Sequence, residues 1–411
     1  MKMGLFTNAS TMLMEKSCPI PEPFRAKAGT IFFLAGLFLI NFMARFILAP
    51  LMPFMEQELH ITHAQAGSLF LFMSLGFSAA QFGSGFLSSR LTHRKALILS
   101  AISVGVALIG VGFLRSLAAI FPALVLLGLA AGLHIPSALA TMTAMVQRQD
   151  WGKAMGVHSS APTLGLVIGP LLVAALVGVI SWRTLLLCLG ILSLLAGVAF
   201  LYFGKGGDFP GDAPKPSALK QIIRLPSFWL IISLFIMALG GSIGLFTVLP
   251  LYLITERGLD RTYANTVLGL AQISGFLSAL AGGWFADRIG PKRALSILLV
   301  AGGASTIFLG VAGDSWLLLF LFLQPAVMGA FFPGGFSALS RIAPTHLRSV
   351  VASVAVPIAF VVGAGVFPAL YGYLGQTHSF GLAYVLAGSL MLSGPLFAFA
   401  LRFVEHDQEG C

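Results

Sequence analysis

Arg45 stands in an almost wholly apolar stretch, LINFMARFILAP (residues 39–50), with a single amide, Asn41, one helical turn before it. A cation at mid-membrane depth costs about 2.5–3.5 kcal/mol on insertion scales, so something must offset it. The chain has 14 Asp and Glu. None lies inside an apolar run long enough to cross a membrane, and Asp287 sits at the lip of one. Arg45 therefore has no acidic partner at its own depth. A bound anion in a water-filled cavity would supply the missing charge, and the planar guanidinium suits carboxylate, nitrate-like or phosphate oxygens in two-pronged geometry. Snorkelling is the plain alternative. The outer end of the run, near Phe54, is roughly 13 Å away at about 1.5 Å per residue, beyond an arginine's reach. Bonding to carbonyls freed by Pro50 and Pro53 is a second alternative.

Asn41 shares a helix face with Arg45 and suits either a substrate contact or an interhelix bond. Two histidines also fall in apolar runs, His134 and His158. Each titrates near neutral pH and can donate, accept or carry charge. His134 is a candidate substrate ligand and proton site, and His158 a second proton site; a neutral histidine bonded between helices is the bland reading of both. Gln324 is a further candidate ligand among the in-run polar residues.

The elements that must hold these groups are membrane helices. Of 411 residues, 57% are hydrophobic and 9% charged, against about 25% charged in soluble domains. Twelve runs are long enough to span: 29–54, 64–88, 96–114, 117–145, 153–180, 183–203, 227–254, 262–286, 293–313, 315–340, 348–375 and 379–402. The polar segment 204–226 divides them six and six. Its tail, SALKQIIRL, is patterned as a short amphipathic helix. The expected organisation is a tail over 1–27, a six-helix bundle over 28–203, a linker over 204–226, a second bundle over 227–403 and a tail over 404–411.

Charge gives the orientation. With the N-terminus inside, the outer loops hold only Arg115, Arg183, Arg257 and Arg261 of the 24 Lys and Arg. All the rest except Arg45 fall on the inner side, as the positive-inside rule requires. Both termini, the linker and the tails are thus expected in the cytoplasm, and the protein in the plasma (inner) membrane. The same asymmetry accounts for the net charge of +10 without a nucleic-acid partner.

The halves repeat. SGFLSSRLTHRKAL (84–97) aligns with GGWFADRIGPKRAL (282–295), and GLHIPSALA (132–140) with GAFFPGGFS (329–337). The repeat maps Arg45 onto Ser242 and His134 onto Phe331, so the second half supplies no second cation. The fold class expected is an all-α membrane protein, twelve transmembrane helices arranged as two parallel six-helix repeats around a central cavity.

Twelve spans, the six-helix repeat and GGWFADRIGPKR together resemble the major facilitator superfamily over about 28–403. That family's loop motif, G-x-x-x-D-R-x-G-x-x-R/K, is met at Gly283, Asp287, Arg288, Gly290 and Arg293. In the first half Ser89 replaces its Asp and Thr92 its Gly, while Arg90, Arg94 and Lys95 remain. The resemblance implies a latch of acid and bases at helix ends, engaged in one conformation and released in the other. Asp287, Arg288 and Arg90 are its candidates, with topogenic charge the simpler role. SSAPTLGLVIGPLL (159–172) is similar to the Gly- and Pro-rich fifth helix of the family's antiporters, and Pro170 is a candidate bend in a gating helix. NFMAR is similar to the first helix of the anion:cation symporter branch, which implies that Arg45 binds substrate. Ala44 stands where that branch often carries an acid, and His134 stands near a second such place.

No P-loop, H-E-x-x-H or paired-cysteine pattern occurs. No cofactor, no metal and no enzyme activity are expected. Cys188, in an apolar run, reads as a small core residue. The reading is a monomeric secondary transporter, moving a small organic or inorganic monoanion by alternating access, proton-coupled or by exchange. A proton-driven exporter of drugs or amphiphilic metabolites is the alternative, carried by the fifth helix. A non-transporting sensor on the same scaffold is the third.

Overall fold

In the computed structural model, residues 21–211, 216–344 and 347–404 are described. Most of the two expected tails, 1–20 and 405–411, and residues 212–215 of the linker lie outside the described residues. Among the described residues, twelve helices are long and apolar enough to cross a membrane. In the first half they are α1 (Phe24–Leu59), α2 (His63–Arg90), α3 (His93–Phe113), α4 (Leu117–Met145), α5 (Arg148–Leu176) and α6 (Trp182–Phe203). In the second they are α7 (Pro226–Glu256), α8 (Arg261–Ile289), α9 (Pro291–Val311), α10 (Asp314–Arg341), α11 (Val350–Thr377) and α12 (Phe380–Ala400). A short helix, Pro216–Ile223, lies in the linker where the amphipathic pattern falls.

Side-chain caps start several helices. Thr62 and Gln65 form a reciprocal capping box at α2, and Asp260 accepts from the amides of Thr262 and Tyr263 at α8. The repeated loops differ for a local reason. Gly290 takes φ 85°, open to glycine at little strain, so the chain turns there between α8 and α9. Its counterpart Thr92 has φ −72° and caps α3 by accepting from the Lys95 amide.

Within each half, glycines let helix backbones touch. A Cβ on Gly76 would lie 2.1 Å from the Val125 carbonyl oxygen, and one on Gly128 2.1 Å from that of Met73, so α2 and α4 pack tightly. Between the halves, α2 meets α11 and α5 meets α8. Arg261 Nη2 donates to Gln57 Oε1 at 2.9 Å and the Ala64 amide to Gln376 Oε1 at 3.4 Å, both at the end away from the linker. Deeper in, Ser78 Oγ donates to the Pro357 carbonyl at 2.9 Å. Cys188 lies on the outer surface of the bundle, not in its core.

Arg183 ties three helices of the first half together. Its Nε donates to Glu58 Oε1 at 2.7 Å, and its Nη1 to the carbonyls of Gly112 at 3.0 Å and Leu114 at 2.5 Å. Trp182 Nε1 donates to the other Glu58 oxygen at 2.5 Å. An Arg183→Ala variant should lose about 1–3 kcal/mol of stability, seen as a lower unfolding temperature. Arg183→Lys should recover little of it, because one ammonium lacks the fork that serves a carboxylate and two carbonyls together. Full rescue by lysine would show that charge alone suffices.

Candidate functional site

α1 carries an aromatic stripe, Phe38, Phe42 and Phe46, at four-residue spacing, with Arg45 beside it. Arg45 is 1% exposed. Its guanidinium carbon lies 4.2 Å from the ring centroid of Phe77, 5.1 Å from Phe42, 5.4 Å from Phe46 and 6.0 Å from Phe360. Rings from α1, α2 and α11 thus box the cation where a water-filled surround was expected. Desolvated cation–π contacts stabilise by about 2 kcal/mol or more, which offsets part of the burial. No hydrogen bond or ion pair reaches Arg45 among the described residues, and its Nε is buried without a partner. Neither snorkelling nor bonding to proline-freed carbonyls is seen.

Asn41 is an interhelix bond in this structure. Its Nδ2 donates to the Ala131 carbonyl at 3.2 Å and to Ser100 Oγ at 3.5 Å, while its Oδ1 is buried and unpaired. His134 and His158 come together: their Nε2 atoms are 3.4 Å apart, and both rings stack on Phe38, with centroids at 5.2 and 4.5 Å. With Nε2 facing Nε2, a single proton fits between them, one ring donating and the other accepting. Phe38 leads along α1 to Phe42, so the histidine pair and Arg45 are two ends of one aromatic run.

A cavity of about 510 Å³ lies between the halves, within the roughly 300–1,000 Å³ usual for small-molecule sites. Its wall includes Leu166, Leu239, Phe246, Met328, Phe332 and Phe336. Its polar side chains are Ser159, Thr163, Ser242, Gln272 and Gln324. Arg45 is not on this wall. Phe42 and Phe360 are, so two of the rings that touch the guanidinium also face the cavity.

α7 and α11 cross this region with π-helical turns at Gly240–Gly244 and Val362–Val366, which the sequence reading misses. Such turns recur at functional sites and leave carbonyls without their usual helical partners. Here Gln324 Nε2 donates to the Gly241 carbonyl, and Tyr371 Oη to that of Gly240 at 3.1 Å. The amide nitrogen of Gln324, a candidate ligand, is thus committed to backbone. The glycines of VGAGV and GGSIG are the only signal sequence offers.

The candidate latch residues do not meet. Asp287, Arg288 and Arg90 are exposed, and none of their side chains makes a hydrogen bond or ion pair among the described residues. The Arg288 guanidinium lies over Trp284, at 5.3 Å. Pro170 is buried in an α5 that runs helical through it. The linker instead occupies the first-half loop. The amides of His93 and Arg94 donate to the carbonyls of Phe209 and Gly207, and the Gly211 amide to that of Ser88. Arg94 also pairs with Asp208 at 3.6 Å.

Known proteins place this arrangement. The Major Facilitator Superfamily model matches residues 34–356 and 255–410. A probable sulfoacetate transporter of Cupriavidus necator is 25% identical over 396 residues, covering 88% of this chain and 90% of that one. A hexuronate transporter of Bacillus subtilis is 25% identical, covering 90% and 93%. A multidrug resistance protein of Serratia proteamaculans is 26% identical, covering 77% and 79%. Twelve membrane helices in two repeated halves and a family match across the whole span agree: this multi-pass membrane protein belongs to the Major Facilitator Superfamily and is a transporter, not an enzyme.

Proposed function

We propose that this protein is a secondary transporter of a small organic or inorganic monoanion, with Arg45 as the group that holds the anion. The observation that carries this reading is a buried arginine whose Nε has no partner among the described residues, boxed by rings of which two line the central cavity. The second half contributes no cation to the same depth, which favours a single negative charge. The likeness to sulfoacetate and hexuronate transporters supports the sign. Asn41 and Gln324 hold the surrounding helices in register and offer their remaining amide oxygens. His134 and His158, sharing one proton site, couple transport to protons. The halves rock about the cavity, with Asp287, Arg288 and Arg90 latching in the state opposite to this one and Pro170 in a gating helix. The termini face the cytoplasm of the plasma (inner) membrane, and the transporter works as a monomer.

The test is counterflow in proteoliposomes, with a set of small carboxylates, sulfonates and nitrate against a set of cationic dyes. Anion exchange is the expected result. Dye transport alone, undiminished in an Arg45→Ala variant, would sink this reading. That outcome would establish the second one, a proton-driven exporter of drugs or amphiphilic metabolites, which the apolar cavity wall and the likeness to a multidrug resistance protein favour.

A further inference from the structure

The cavity wall narrows the substrate further, resting on the assignment of Arg45 as the anion-holding group. The anion end and the body of a substrate face different chemistry here. Behind Phe42 and Phe360 lies Arg45, the one buried Lys or Arg among the described residues; in front of them the wall is mostly aromatic and aliphatic. The polar side chains on that wall are few and partly engaged. Ser242 Oγ donates to the Ala238 carbonyl of its own helix at 2.7 Å, and Gln324 Nε2 to the Gly241 carbonyl. Ser159, Thr163 and Gln272 are what remains.

A sugar acid carries hydroxyls around its whole body. In this cavity most would lose water and find no protein partner, which works against binding. A small inorganic anion would leave the apolar wall uncovered. An organic acid with an aromatic or branched body covers that wall and leaves its charge for the guanidinium. Ring-on-ring contacts with Phe332 and Phe336 would add to plain burial.

We infer that the substrate is an apolar-bodied organic monoanion, an aromatic or branched-chain carboxylate or sulfonate, whose head displaces Phe42 or Phe360 from the guanidinium while its body lies along Phe246, Phe332 and Phe336. The two cavity-facing rings then act as the door between the apolar wall and the cation. A substrate binds productively only when its charged end parts them.

Ligand-induced stabilisation of the purified full chain tests this with no variant needed. The probes are phenylacetate, its uncharged amide phenylacetamide, glucuronate and nitrate. Phenylacetate should stabilise with an apparent affinity at least about tenfold tighter than glucuronate or nitrate, and phenylacetamide should have no effect. A Phe336→Asn variant should weaken phenylacetate while leaving nitrate unchanged, a pattern that general damage to the fold does not produce. Glucuronate or nitrate equal to or better than phenylacetate, with the effect lost in Arg45→Ala, would overturn this inference and leave the anion site standing. Phenylacetamide acting as well as phenylacetate, with Arg45→Ala unaltered, would overturn both.

Discussion

Replacing Arg45 by methionine is expected to abolish anion transport and, in the same protein, to raise the unfolding temperature of the ligand-free state. The two effects come from one charge. At mid-membrane depth a guanidinium is unfavourable by about 2.5–3.5 kcal/mol. The rings of Phe42, Phe46, Phe77 and Phe360 return part of this, about 2 kcal/mol for desolvated cation–π contacts. The Nε has no partner among the described residues. Methionine fills a similar volume, removes the charge and makes favourable sulfur contacts with the same rings. The empty bundle therefore gains stability. With substrate the sign reverses. Removing one partner of a buried, charge-assisted pair is unfavourable by about 3–5 kcal/mol, or more than about two decades in affinity. Lysine keeps the charge but loses the flat fork that sits between rings and grips two oxygens, so it should transport at a tenth of the native rate or less, about one decade. Proteoliposome uptake and thermal unfolding on the same preparations check both halves. A methionine variant that transports normally ends the anion-site assignment. One that unfolds at a lower temperature would show that the guanidinium holds the helices together.

The twelve spans were readable because membrane helices need only length and apolarity, and local composition carries both. Ends were less readable where helices outrun their apolar run. α1 was expected over 29–54 but extends over Phe24–Leu59, because polar Glu56 to Glu58 continue the helix and give Glu58 to Arg183. The chemistry of the site was legible by residue but not by surroundings. Arg45, His134 and His158 each stand out in apolar runs. That the two histidines meet and stack on Phe38 depends on α1, α4 and α5 packing together, which no local pattern encodes. The same holds for Phe77 and Phe360, which reach Arg45 from α2 and α11. The four-residue stripe Phe38, Phe42, Phe46 was in plain view, and it was the available sign that α1 presents rings beside its cation. The π-helical turns needed tertiary partners, Gln324 and Tyr371, before they were favourable. The degenerate first-half loop, with Ser89 and Thr92 in place of the motif's Asp and Gly, has its backbone paired with the linker, a contact between segments too irregular to anticipate.

A leucine at Gly372 is expected to stop transport while leaving each half folded, because this glycine sits where the two halves touch. A Cβ there would lie 2.1 Å from the His63 carbonyl oxygen, and one on Gly67 2.2 Å from that of Pro368. Both clashes are with backbone, which cannot rotate aside as a side chain can. Both join α2 of one half to α11 of the other, at the end where Arg261 bonds Gln57. The only relief is to part the halves at that end. Gly76 and Gly128 are as close to their neighbours, but both lie within the first half. Bulk there has to separate α2 from α4, so it should lower the unfolding temperature instead. The contrast separates a packing fault from a gating fault. In a rocking transporter, a seam that cannot close removes one of the two required states, and turnover should fall by at least about tenfold. Ser74 reports on the seam directly, since it is buried against Gly365 of α11. In a chain whose three cysteines are replaced by serine, a Ser74→Cys thiol should react faster with a membrane-impermeant reagent once Gly372→Leu is added. Native turnover together with an unchanged labelling rate would mean that this contact tolerates separation, and that the halves do not need to close here for substrate to cross.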